Sequence, residues 1–480
     1  MFFPVCHWPH HFETDLEIIV DALESDNEVC VVRCHGRLPA CFMSRENDIV
    51  NCKACQSMFN KGMKAAGVPK NSIVRLPYYN ANDGYVPPVF NTMEELLSFQ
   101  YSGIELGMAA ASNYTWLHNR EHRFDPLKDN GELRRDIISG IMVYSGLQQI
   151  VRKIKPQKVV FFNGRFPIVR AMLRLCKQEG IDYQIHERCG DVTQYWLINN
   201  STPHTLDDCN KDILKVWENG SPDKAEKAHK WFIDRRKGVP QGWFSYINKQ
   251  NKDLLPVEWE LHKDKKKVVI YNTTIAEYFG VKEWNFGIYG DQNKAIDRIL
   301  SEFDNDPKLI FYLRVHPNLS FNKTNSQLIE LQEIKKKHKN LILIPPDSPV
   351  SSYALLDEGD VVVVFGSTVG VESCYWGKPV ILASRSYYES VNACYYPDSH
   401  EELIGLLKTD LLPLPQDRAL PYAYWEISRG NKFRHFVPDG IDDGAFKGVK
   451  IKEGVFVRIL TKIFNALKRE TSKQSNEKRF

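Results

Sequence analysis

Short apolar runs recur along this chain, and between them lie longer stretches whose apolar residues fall at helical spacing, the alternation expected of strand–helix–strand units. FFPVC opens the sequence, followed by HWPHHFET, the helix-like DLEIIVDALES and a second strand pattern in NEVCVVRC. A clearer unit starts at KVVFFNGR (158–165). FPIVRAMLRLCKQEG then sets Ile168, Met172, Leu173 and Cys176 at helical spacing, Gly180 is placed to close the helix, and IDYQIHERCG reads as the next strand. Residues 201–267 break the rhythm: they are polar and charged, with scattered Trp and Pro, and end in KDKKK (263–267), so a domain boundary is expected there.

The alternation then restarts. KVVIYNTT (267–274), a helix over DQNKAIDRILSEF, KLIFYLRVHP (308–317), KNLILIPP (339–346), DVVVVFG and KPVILAS supply at least five strands. Val361 to Phe365 is apolar at every position, as parallel strands covered on both faces must be. The expected class is α/β, with two Rossmann-like domains whose parallel sheets face each other across a cleft. The first covers residues 1–262 and carries a cysteine-rich insertion at 30–55; the second covers 263–440; residues 441–480 form an amphipathic helix and basic tail.

A length of 480 residues suits two cores better than one. With 43% apolar and 26% charged residues the chain is a folded protein, and 63 basic against 60 acidic residues leave no basic footprint, so no nucleic-acid partner is expected. No apolar run reaches the length of a membrane span, and MFFPVCHWPHHFETD lacks the pattern of a secretory signal, so a cytoplasmic location is expected. Eleven cysteines, an odd number, point to thiols or a metal site rather than a disulfide framework.

Two strand ends carry chemistry. Gly366-Ser367-Thr368-Val369-Gly370 lies between a buried strand and a helix, so free N–H groups, two hydroxyls and two glycines can approach a phosphate. Simple capping by Ser367 or Thr368 is the alternative. Glu372 lies one position too far from Thr368 for a capping box and can instead accept bonds from ribose hydroxyls. His316-Pro317 ends another strand, where an imidazole can donate to a phosphate oxygen or a leaving group. Arg314, Asn272 and Thr273 adjoin the same strand ends and complete the candidate donor site.

LRVHPN, DSPVSSYALLDEGDVVVVFGSTVGVESCYWGKPVI and FFNGRFPIVRAMLRLCKQEGI resemble the GT-B glycosyltransferases of capsule and surface polysaccharide synthesis, including the Kdo-transferase relatives. YSGIELGMAAASNYTW (101–116) is similar to them as well. The resemblance implies donor nucleotide binding by His316, Pro317, Ser367 and Thr368, a ribose-binding role for Glu372, and transfer without a metal cofactor. It makes the first domain the acceptor domain and the second the nucleotide-sugar domain. The donor would be CMP-Kdo-like or a UDP-sugar, and the acceptor a growing surface polysaccharide or a lipid-linked saccharide.

A base that deprotonates the acceptor should then lie at a strand end of the first domain. His7, His11, Glu187 and Asp191 are the leading candidates, with His10, Glu13 and Asp15 nearby; Asn163 and Arg165 are candidate acceptor contacts. Asp15 as a helix cap, and Arg165 with Glu187 as a plain ion pair, are the bland alternatives. Cys34, Cys41, Cys52 and Cys55 form a candidate structural zinc set, with ordinary buried thiols as the alternative. GVFVRILTKIFNALKRE (454–470) can pack back across the first domain or lie on an anionic membrane surface. A UDP-sugar 2-epimerase and a non-catalytic carbohydrate-binding scaffold are the competing functions.

Overall fold

The computed structural model describes residues 1–452 apart from positions 5, 7, 9, 42–44, 46, 47, 78–84, 242–244, 285, 286 and 323. His7 and the 454–470 segment therefore lie outside the described residues. Among those described, no helix is long and apolar enough to cross a membrane.

Two sheets organise the chain. The first uses β1 (Phe2–Phe3), β2 (Val31–Arg33), β3 (Ile73–Arg75), β4 (Lys158–Phe162), β5 (Asp182–Arg188) and β6 (Gln194–Asn199). The second uses β7 (Lys266–Tyr271), β8 (Leu309–Arg314), β9 (Leu341–Ile344), β10 (Val361–Val364) and β11 (Val380–Leu382). β12 (Gly430–Lys432) returns to the first sheet, and β13 (Phe436–Pro438) pairs with β14 (Gly444–Phe446) as a hairpin.

The orders are β12-β6-β5-β4-β1-β2-β3 and β11-β10-β7-β8-β9. Within each sheet, the five parallel strands follow the same winding, with the first strand between the second and the fourth. The topological switch points thus fall at the ends of β1 and β4 in one domain and β7 and β10 in the other, where open α/β sheets form ligand crevices. The GT-B arrangement expected from the sequence is the one observed.

The apolar runs are continuous because alternate side chains enter two different cores. Val362 and Val364 face the cluster that holds Trp231, Tyr422 and Trp425, whereas Val361 and Val363 face the one that holds Ile296, Phe303 and Leu331. Each buried valine contributes roughly 1.5–3 kcal/mol. Helix Pro167–Glu179 starts with proline in its first turn and ends at Gly180 with φ 62°, as the spacing predicts.

The boundary at 262 needs correction. Helices Leu206–Glu218 and Lys224–Arg236 pack on the second sheet through Cys209, Ile213, Ala228, Trp231 and Phe232. KDKKK does not mark the boundary, since Lys266 already pairs with Leu309 in the β7–β8 ladder. The chain crosses between domains near residues 200–205 and again after helix Leu420–Ser428, whose end leads into β12.

Candidate functional site

A cleft of about 660 Å³ opens between the two domains, lined by Glu187 and Arg188 from β5 and by the ends of β7, β8 and β10. Of the residues expected at the donor site, Asn272, Thr273, Arg314, His316, Pro317, Gly366, Ser367, Thr368 and Glu372 all line it.

The Asn272 side-chain oxygen accepts the His316 backbone N–H at 2.9 Å and so fixes the turn after β8. The Asn318 N–H donates to His316 Nδ1 at 3.2 Å, and the Thr274 hydroxyl lies 3.2 Å from the same nitrogen. Nδ1 is therefore the acceptor, and the proton sits on Nε2. Burial lowers the His316 pKa, so it is a neutral donor at pH 7. Gly366 has φ 77°, and a Cβ there would meet the Arg385 carbonyl oxygen at 2.9 Å, so only glycine allows this turn. Thr368 makes no side-chain cap bond, and Ser367 Oγ accepts only a 3.4 Å contact from the Val369 N–H, so capping does not account for this pair.

Three donor-side expectations change. Arg314 is buried and donates to the carbonyls of Pro345 and Ser348, which makes it a strut rather than a phosphate ligand. Gly370 does not line the cleft; a Cβ there would strike the Tyr388 hydroxyl at 2.4 Å, so its role is packing. Glu372 is buried and already accepts from Arg235 Nη2 at 2.9 Å and from the Tyr353 hydroxyl, leaving it less capacity for a ribose than an unpaired acid.

Four acids line the cleft, Glu187 from the first domain and Glu277, Glu372 and Glu426 on the side of the second sheet. Arginine partners neutralise three of them, Arg120 at 3.4 Å from Glu277, Arg235 at 2.9 Å from Glu372 and Arg429 at 2.8 Å from Glu426. Glu187 is held differently. The Asn163 side-chain amide donates to it at 2.6 Å, the Arg188 backbone N–H at 2.9 Å, and His11 Nε2 lies 3.5 Å away. Burial pushes the His11 pKa well down, so this neighbour is neutral at pH 7, and burial also pushes the Glu187 carboxyl up. A carboxylate positioned by neutral donors, with its pKa raised by burial and open to a cleft, suits a general base.

The remaining first-domain candidates do other work. His11 is buried behind Glu187 with its ring 4.1 Å from Phe162, and Asn163, at φ 55°, orients Glu187 rather than an acceptor. Arg165 donates to the Glu277 carbonyl at 2.6 Å and the Ala276 carbonyl at 2.7 Å, pinning one domain to the other; it lines no cleft wall. Asp191 accepts the Thr193 N–H and hydroxyl at 2.8 Å in a turn, outside the cleft. Asp15 is buried 3.0 Å from His186 Nε2, and Glu13 closes a capping box with His10.

The thiol set does not assemble as expected. Cys52 and Cys55 lie three residues apart in helix Ile49–Ala65. Cys55 hydrogen-bonds with Cys6, and Cys34 Sγ accepts the Gly36 N–H at 3.4 Å. Among the described residues, Cys34, Cys41, Cys52 and Cys55 supply no three sulfurs within 4.8 Å of one another. The one group meeting that spacing there is Glu17, Asp21 and His435, and Glu17 already accepts the Arg434 and Phe436 N–H groups.

Sequence reasoning missed Arg235, which reaches Glu372 and lies 3.4 Å from the Thr368 hydroxyl, and the aromatic wall of Trp196, Trp231, Tyr387, Tyr422 and Trp425. The signal was present in WFIDRR, where Trp231 and Arg235 are four residues apart on one helix face.

Residues 250–392 match the model of a family described as capsule polysaccharide biosynthesis protein. That segment holds β7 to β11, including both donor-side turns. No curated protein matches the sequence. Among solved structures, the chain is similar to KpsC of Thermosulfurimonas dismutans, titled beta Kdo 2,4 transferase, at 13% identity over 64% of this chain and 86% of that one, with a TM-score of 0.40. It is also similar to the UDP-GlcNAc 2-epimerase of Neisseria meningitidis bound to UDP-GlcNAc, at 12% identity over 88% and 96%, TM-score 0.29. The spinosyn rhamnosyltransferase SpnG follows at 10% over 89% and 95%, TM-score 0.26.

Proposed function

We propose that the protein is a glycosyltransferase that moves a sugar from a nucleotide-sugar on the second domain to an acceptor hydroxyl on the first. The observation that carries this is Glu187, the cleft acid without an arginine partner within ion-pair distance among the described residues, on the wall opposite His316 and Thr368. Glu187 takes the acceptor proton, the acceptor oxygen bonds to the anomeric carbon, and the bond from that carbon to the phosphate oxygen breaks. The electron pair leaves on the phosphate, where the His316 Nε2–H and the hydroxyls of Ser367 and Thr368 receive it. A single displacement of this kind inverts the anomeric centre.

The donor is a CMP-Kdo-like or UDP-linked sugar, and the acceptor is an oligosaccharide or lipid-linked saccharide of a surface polysaccharide, a reading supported by the family match over residues 250–392. Incubation with a panel of nucleotide-sugars, with and without oligosaccharide acceptors, tests it. Nucleotide release that requires acceptor is expected. Conversion of the donor sugar without acceptor would make the protein an epimerase, and binding of saccharide with no turnover would make it a scaffold.

A further inference from the structure

Among the described residues, the donor-side turns contain no lysine or arginine of their own that reaches the cleft unspent, since Arg314 is bound to backbone carbonyls. A departing phosphate nevertheless gains most from a cation nearby. Outside the second sheet's own turns, helix Lys224–Arg236 brings the Arg235 guanidinium to the cleft wall as a hydrogen-bond donor. Helix Lys224–Arg236 is fixed on the second domain by Phe232 stacking on Tyr375, with centroids 4.0 Å apart at 8°, and by His229 Nδ1 3.0 Å from the Tyr375 hydroxyl. On that anchored helix Arg235 and Trp231 are one turn apart, and the Arg235 guanidinium carbon lies 5.3 Å from the Trp231 ring centroid. Both line the cleft.

Arg235 is held in place by Glu372 at 2.9 Å and the Thr368 hydroxyl at 3.4 Å, both through Nη2. Its buried Nε has no acceptor among the described residues. The same holds for the indole N–H of Trp231, a side chain only 5% exposed. Two buried donors without acceptors on neighbouring turns, beside the Thr368 hydroxyl, call for an oxygen-rich ligand.

We infer that Arg235 and Trp231 form an oxyanion subsite for the phosphate of the nucleotide-sugar, with Glu372 and Tyr353 acting to position the guanidinium. The inference rests on the glycosyltransferase reading and deepens it. Glu372 thereby becomes an orienting residue, and helix 224–236 becomes part of the donor site.

The test is calorimetric titration of the full chain with CMP and UDP, and with cytidine and uridine, which lack phosphate. Arg235→Gln should weaken nucleotide binding by at least tenfold and leave nucleoside binding within twofold. Trp231→Phe should weaken nucleotide binding severalfold. Because Arg235→Gln leaves Glu372 buried without its cation, the double variant Arg235→Gln, Glu372→Gln keeps the pair neutral and should show the same phosphate-specific loss. Nucleotide affinity unchanged in the folded double variant would overturn the subsite while leaving the glycosyltransferase reading intact. A wild-type protein that binds no nucleotide would overturn that reading and the subsite with it.

Discussion

Replacing Arg165 by alanine separates a domain pin from an acceptor contact. Its guanidinium reaches three carbonyls across the interface, those of Glu277 at 2.6 Å, Ala276 at 2.7 Å and Phe279 at 3.4 Å, and the Ser112 hydroxyl in its own domain. Charge-assisted bonds of this kind are worth about 1.5–3 kcal/mol each. Burial opposes them: it pulls the Arg165 pKa down to about 10, a penalty of roughly 3 kcal/mol. Counting the two short bonds fully and the long one weakly, and adding the cost of carbonyls left without a donor, gives a loss of about 3–5 kcal/mol for Arg165→Ala. Scanning calorimetry should show a lower melting temperature, and small-angle scattering a broader distribution of domain separations. Arg165→Lys should recover only part, because an ammonium cannot span the three acceptors. An alanine variant with unchanged melting and a tenfold higher KM for acceptor would refute the pin and restore Arg165 to the acceptor site.

Gly366→Ala should abolish nucleotide binding in a chain that still folds, because the φ of 77° and the Arg385 carbonyl 2.9 Å from the added methyl force the turn to move; unchanged affinity by calorimetric titration would contradict this. Asp136 is buried, accepts from the Asn113 amide at 2.8 Å and has its pKa raised by burial to about 7. The folded state therefore holds that proton more tightly than the unfolded chain, and stability should fall as pH rises from about 4 to 7. Asp136→Asn should raise the melting temperature at pH 8 and change it little at pH 4; an equal effect at both would show that the charge is not the cause.

The sequence was most legible where burial on two faces leaves no polar alternative. β7, β8 and β10 read as strands because successive residues such as Val361 and Val362 enter separate cores. β12 was illegible for the opposite reason: Gly430, Asn431 and Lys432 carry no apolar signal and become a strand only by pairing with Trp196, Tyr195 and Gln194. The donor turns were legible because a glycine with positive φ and a His-Pro at strand ends are local devices. Arg165 was misassigned because its partners are backbone carbonyls more than a hundred residues away, which leave no trace in side-chain patterning. Residues 201–267 read as a break ending in the domain boundary because they are polar and charged, with Trp and Pro scattered among them. Trp231, Phe232 and Trp259 nevertheless bury themselves on the second sheet and bring Arg235 to the cleft.

The most direct measurement compares wild type with Glu187→Gln in acceptor-dependent release of nucleotide, across pH, with donor affinity measured in parallel. Glutamine keeps the shape and can still meet Asn163, but it cannot take a proton. The account predicts a fall in kcat of about 10²–10⁴ with donor Kd within twofold. In the wild type, burial raises the carboxyl's pKa, so kcat should climb as pH rises through that raised value; the residual rate of the variant should lack this limb. A Glu187→Gln enzyme that turns over at the wild-type rate, or keeps the same pH limb, would contradict the assignment of the base and with it the direction of chemistry across the cleft.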